Sequence, residues 1–100
     1  MSVQNVYYQV NSAYLHRTIA GEDILISLGG NIANFNGYVA LNATASFLWD
    51  SLKTPKTALQ LQEALLEEFT VEAAVAQADV EDFLQMLLEK DMIREVTYAP

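Results

Sequence analysis

His16 is the only histidine in this chain of 100 residues, and imidazole is the side chain best suited to proton transfer near neutral pH. Catalysis needs partners, however. His16 sits between Leu15 and Arg17 within a strand-like stretch, and no second ligand or triad member stands at a useful spacing. A structural or surface histidine is the simpler reading. Asp79 and Asp82 fall one helical turn apart, a spacing that suits paired-carboxylate acid–base chemistry, but on an acidic helix a solvated face accounts for them. Gly29-Gly30 is followed by no basic residue and opens no helix, so it is not a phosphate loop. Asn42-Ala43-Thr44 matches the glycosylation sequon, yet a helix-capping role already explains Asn42. Trp49 offers a surface for ligand stacking, but its helical spacing between Ala45 and Leu52 assigns it to the core. No residue set here supports an enzyme, a metal or a cofactor.

The totals narrow the field further. A chain of this length forms one domain, residues 1–100, because it cannot divide into two self-supporting cores. With 52% hydrophobic residues and no apolar run long enough to span a bilayer, a soluble globular domain without a membrane partner is expected. No signal peptide is visible in Met1-Ser2-Val3-Gln4-Asn5, and there are no cysteines, which together suit a cytoplasmic protein. The net charge is −8. Three acids face one base in residues 1–50, and ten face four in residues 51–100. Nucleic acid is the wrong partner for such a balance; the acid serves either solubility or attraction of a basic partner.

The elements that position these residues centre on Gly37 to Trp49. Tyr38 to Leu41 reads as a short apolar strand, Asn42 as an N-cap, and Ala45, Leu48, Trp49 and Leu52 as the buried face of a helix over about 43–52. Everything before residue 42 is then sheet, and everything after it helix. Upstream, Tyr14 to Ile19 and Asp23 to Leu28 flank a three-residue hairpin connection, Ala20-Gly21-Glu22. The second of these strands is almost wholly apolar and should be central. Val3 to Val10 forms either an extended arm lying on the domain or a tail; Ile32 to Phe35 either begins the third strand or makes a bulged connection. Downstream, Pro55 ends the first helix. Thr57 and Gln60 make a capping box for a second, whose stripe is Leu59, Leu61, Leu65, Leu66 and Phe69. Thr70 caps a third helix of about 20 residues ending near Asp91, with Ala76, Val80, Phe83, Leu84, Leu87 and Leu88 on its packing face. Ile93 to Val96 is either a terminal strand, in the place of a wing, or a cover for the helix end. The fold class is α+β: a three-stranded antiparallel sheet followed by a three-helix, winged-helix-like bundle.

Such a sheet has two edges, and an edge strand lacking Lys and Pro, as Tyr38 to Leu41 does, invites another backbone. The ordered set Arg17-Thr18-Ile19-Ala20-Gly21-Glu22-Asp23-Ile24-Leu25-Ile26, Leu41-Asn42-Ala43-Thr44-Ala45 with Phe47-Leu48-Trp49, Thr57 to Phe69, Ala78 to Leu84 and Leu87 to Ile93 resembles the PqqD-like domains. These are the D protein of pyrroloquinoline quinone biosynthesis and its relatives, the recognition elements of ribosomal peptide (RiPP) modification. The resemblance spans about residues 14–96. It implies a non-catalytic peptide chaperone that binds the leader segment of a precursor peptide and presents it to a modifying enzyme, often a radical-SAM enzyme. It also implies strand addition at the third strand, in a cleft against the third helix. Carried over, the site comprises Tyr38, Val39, Ala40 and Leu41 opposite Asp79, Phe83, Met86 and Lys90, with the N–H of Val39 among the donors offered to the guest. The family often has Gly where this chain has Asp91, a residue less suited to a left-handed turn. Two other classes compete. A winged-helix DNA-binding regulator needs bases on the third helix, which carries Lys90 alone among many acids. A structural or dimerising domain would pair the same edge with a second copy, making a homodimer.

Overall fold

The computed structural model describes residues 6–27 and 38–97. The region around Ile32 to Phe35, open in the sequence between strand and bulge, lies outside them. In chain order the elements are β1 (Tyr7–Val10), β2 (Tyr14–Ile19), β3 (Glu22–Ser27), β4 (Tyr38–Leu41), α1 (Ala43–Ser51), β5 (Lys56–Thr57), α2 (Ala58–Glu68), α3 (Ala73–Glu89) and β6 (Ile93–Val96). Two three-stranded sheets result, ordered β2-β3-β4 and β5-β1-β6, with every pairing antiparallel.

The first sheet is the expected one, with β3 in its centre. Its hairpin connection is tighter than the sequence suggests. Ile19 pairs with Glu22, so the loop is Ala20-Gly21 alone, and both have positive φ, 54° and 82°. Positive φ at both central residues marks the turn whose twist matches a right-handed strand pair. Gly21 adopts it freely, whereas Ala20 is strained there.

The second sheet corrects the division into sheet first and helix afterwards. Residues 7–10 are the extended arm, not a tail; they pair with residues 56–57 on one side and 93–96 on the other. The N-terminal strand thus bridges segments that precede α2 and follow α3. Val10 N–H donates to Leu52 O at 3.0 Å and Asn11 N–H to Met92 O at 2.9 Å, so the arm also laces the ends of α1 and α3.

Each helix has a local cause. Asn42 caps α1, its Oδ1 accepting from Ala45 N–H at 2.8 Å. The Thr57–Gln60 capping box closes reciprocally, at 3.1 and 2.9 Å. The third cap differs from expectation: Glu72, not Thr70, occupies the N-cap of α3 and makes no side-chain capping bond. At the other end, Met92 N–H donates to Leu87 O and Asp91 N–H to Leu88 O, with Asp91 at φ 60°. This is the Schellman arrangement, and Asp91 takes the left-handed position that glycine fills best.

The core is one cluster. Leu25 and Leu41 from the first sheet, Leu48, Trp49 and Leu52 from α1, Leu61 and Leu65 from α2, five residues of α3, and Met92 and Ile93 all meet in it. Trp49 is 1% exposed, a core residue as its spacing implies. The stripe of α2 needs correction. Leu61 and Leu65 are buried, but Leu59 and Leu66 are 61% and 42% exposed. At about 100° per residue, Leu59 and Leu66 share one face and Leu61 and Leu65 the opposite one. A single stripe cannot hold all four.

Candidate peptide-binding site

β4 is an edge strand. It pairs with β3 through Asp23–Leu41, Ile24–Ala40, Leu25–Val39 and Ile26–Tyr38, and no other strand among the described residues lies beside it. Residues 7–10 of the N-terminal arm are committed to the other sheet. Side chains alternate along β4: Val39 and Leu41 turn to the core, while Ala40 is exposed.

The direction of the backbone groups follows from the turn. A two-residue loop makes Ile19–Glu22 a hydrogen-bonded pair, and an uninterrupted antiparallel register then alternates strictly. The backbone of Glu22, Ile24 and Ile26 therefore points to β2, and that of Asp23 and Leu25 to β4. Leu41 and Val39, their partners, turn inward. The outward N–H and C=O groups belong to Tyr38 and Ala40. The expectation that the N–H of Val39 faces a guest is corrected by this parity: it is spent on the ladder to β3.

Beside the corner where β4 enters α1 lies an open groove of about 230 Å³. Asn42, Thr44, Ala45 and Leu48 form one wall, and Asp79, Asp82, Phe83 and Met86 of α3 form the other. Its floor is apolar, since Leu48 and Phe83 are 1% and 6% exposed, and Met86 remains 38% exposed on the rim. A second hollow, of about 520 Å³, lies at the end of β4 beside the hairpin turn and shares Asn42 with the first. Ala40 and Leu41 line this one, with Glu22 and Asp23.

Of the residues expected in the site, Asp79, Phe83 and Met86 meet in the groove, and Tyr38 to Leu41 form the adjoining edge. Lys90 lines neither hollow; it is the C-cap of α3. Thr44, Ala45, Leu48 and Asp82 belong to the wall and were not anticipated there. Ala45 and Leu48 were legible only as core, because helical spacing does not say where a packed face meets an opening. The exposed positions of α3 include Asp79, Glu81, Asp82 and Glu89, a surface that repels nucleic-acid phosphates.

His16 is engaged elsewhere. Its Nδ1 lies 2.9 Å from Asp50 Oδ1 and its Nε2 lies 2.9 Å from Asp23 Oδ1, while Thr18 Oγ1 donates to Asp23 Oδ1 at 2.7 Å. Among the described residues no group of three or more His, Cys, Asp and Glu is placed to hold a metal ion. No described helix is long and apolar enough to cross a membrane.

No curated protein matches the chain. A solved structure of TbiB1 in complex with the TbiA(beta) leader peptide is similar to it, with a TM-score of 0.67 and 25% identity, over 92% of this chain and 99% of that one. Residues 22–93 match the family described as coenzyme PQQ synthesis protein D (PqqD). That stretch holds the central strand of the first sheet, its open edge and all three helices, so the chain belongs to the PqqD family.

Proposed function

We propose that this protein is a non-catalytic recognition element which binds the leader segment of a ribosomally made precursor peptide and presents it to a modifying enzyme in the cytoplasm. The observation that carries this reading is the outer edge of β4, beside which no other described strand lies, next to a groove walled by α3. The leader adds a fourth strand at the outward groups of Tyr38 and Ala40, and its alternate side chains enter the groove against Leu48, Phe83 and Met86. Family membership supports this, as does the similarity to TbiB1, which was solved with a leader peptide.

Magnitudes say both parts are needed. Two residues offer up to four main-chain hydrogen bonds, together about 2–6 kcal/mol net. Micromolar binding requires about 8 kcal/mol, before the entropic cost of association. Apolar anchors must supply the rest, at about 25 cal/mol per Å² buried. Asp79 and Asp82 on the rim favour a guest with a basic residue beside its anchors. A radical-SAM enzyme is the partner class the family resemblance suggests. Pairing of the same edge with a second copy would hide it, so sedimentation across a dilution series belongs with any binding study.

The test is a titration of isotope-labelled protein with the leader encoded beside it. Amide shifts are expected to concentrate in residues 38–45 and on the Asp79–Met86 face of α3. Perturbations confined to the β5-β1-β6 sheet would overturn the assignment.

A further inference from the structure

We infer that His16 is a charged positioning residue: as an imidazolium it bridges Asp23 of β3 and Asp50 of α1, and it thereby makes the seating of the first sheet on α1 depend on pH. The argument begins with donor counting. Ionised carboxylates only accept hydrogen bonds, and a neutral imidazole has only one N–H to donate. Both ring nitrogens lie 2.9 Å from carboxylate oxygens, so both bridges stand together only when the ring carries two protons.

The three residues belong to three elements. His16 and Asp23 lie on the core-facing side of β2 and β3, and Asp50 lies in the last turn of α1. That turn has no basic residue of its own. A cation supplied from β2 complements the partial negative charge of the helix end. Asp23 is also the partner of Leu41 at the end of β4. The bridge therefore spans from the helix that walls the groove to β3, the strand on which β4 is paired.

The surrounding groups agree in sign. Burial works against the charged ring, but hydrogen bonds to Asp50 and Asp23 outweigh it and hold His16 above its ordinary value. The Thr18 hydroxyl, followed by His16, holds the Asp23 carboxyl below its usual range. From α1, the hydroxyl of Ser46 is buried without a partner in hydrogen-bonding geometry, near enough to Asp23 to favour its anion further. Lys53, just past α1, places its Nζ 3.9 Å from Asp50 Oδ1 and competes weakly for that carboxylate. Tyr14, two residues before His16 on the same face of β2, is the other titratable group there among the described residues. A histidine raised on folding contributes stability that is complete below its unfolded pKa and lost as pH rises through the folded one; a lowered Asp contributes stability lost as pH falls through its folded value. The bridge is thus whole in mildly acidic solution, opens on its histidine side as pH rises through the raised imidazole value, and opens on its Asp23 side as pH falls through the lowered carboxyl value.

Because His16 is the only histidine, one imidazole signal reports it, and no peptide is needed. Nitrogen-15 shifts of the ring, followed against pH, should show both nitrogens protonated with a midpoint above the ordinary value of about 6.5. Asp50→Asn, at a position already half exposed, should bring that midpoint down. Thermal unfolding should show Asp50→Asn less stable than the unaltered protein at about pH 5.5, with the difference shrinking by about pH 8.5. A midpoint at or below the ordinary value, or one that neither Asp50→Asn nor Asp23→Asn moves, would overturn the inference.

Discussion

The β2-β3-β4 and β5-β1-β6 sheets are equal in strand number, share one hydrophobic cluster, and treat their outer strands differently. The second sheet is blunted on both sides. β5 is two residues long, follows Pro55, carries Lys56 and runs straight into α2; β6 presents Arg94 and Glu95 to solvent. Short length, Lys, Pro and charge are the usual protections against unwanted strand pairing. β4 is as short as β6, but Tyr38-Val39-Ala40-Leu41 has no Lys, Pro or charge. One molecule therefore contains both a guarded pair of edges and an unguarded edge, and the unguarded one stands next to a groove. An edge left open by neglect would be expected to resemble its neighbours, so the contrast itself argues for use.

The contrast can be broken at its root first. Trp49→Ala removes the largest fully buried side chain from the cluster that underlies both sheets; a loss of about 3–5 kcal/mol is expected in denaturant unfolding. Proline separates the two directions of β4. Val39→Pro breaks the ladder to β3 and should lower stability by about 3 kcal/mol, whereas Ala40→Pro keeps the fold and weakens leader binding about tenfold. Calorimetry on the two variants checks this, and equal effects would mean the parity assigned to β4 is wrong. At the guarded sheet, Asp91→Gly relieves a left-handed residue and should raise stability by about 1 kcal/mol without changing leader affinity. Asp79→Asn is the mildest change. It should cost a basic leader about two- to fivefold in affinity, and the effect should fade with added salt.

The same contrast explains what could be read from the sequence. The first sheet and the starts of α1 and α2 are legible because their causes are local. Gly21 marks the turn, Asn42 the cap of α1, and Thr57 with Gln60 the capping box. The second sheet joins Tyr7–Val10, Lys56–Thr57 and Ile93–Val96. A two-residue strand shows no alternation, and no short-range signal announces a partner at the far end of the chain. Leucine content alone suggests a single stripe on α2, whereas the helical period sets Leu59 and Leu66 opposite Leu61 and Leu65. The position of Glu72 escaped notice because its cap makes no side-chain bond. In the candidate site, Asp79, Phe83 and Met86 were found on the helix, but their facing wall depended on tertiary packing. The two carboxylates that flank His16 are drawn together by the seating of β3 and α1, which spacing alone does not disclose.

The stitching of β1 to β6 fixes an order of events during synthesis. The hairpin, β4 and the first helix emerge from the ribosome early, and their contacts are short in sequence. Residues 7–10 must wait for residues 93–96, more than eighty positions later, before their own ladder can close. A nascent chain thus displays the accepting edge while the second sheet is still unfinished, and removal of residues 7–10 would leave β6 without its ladder partner.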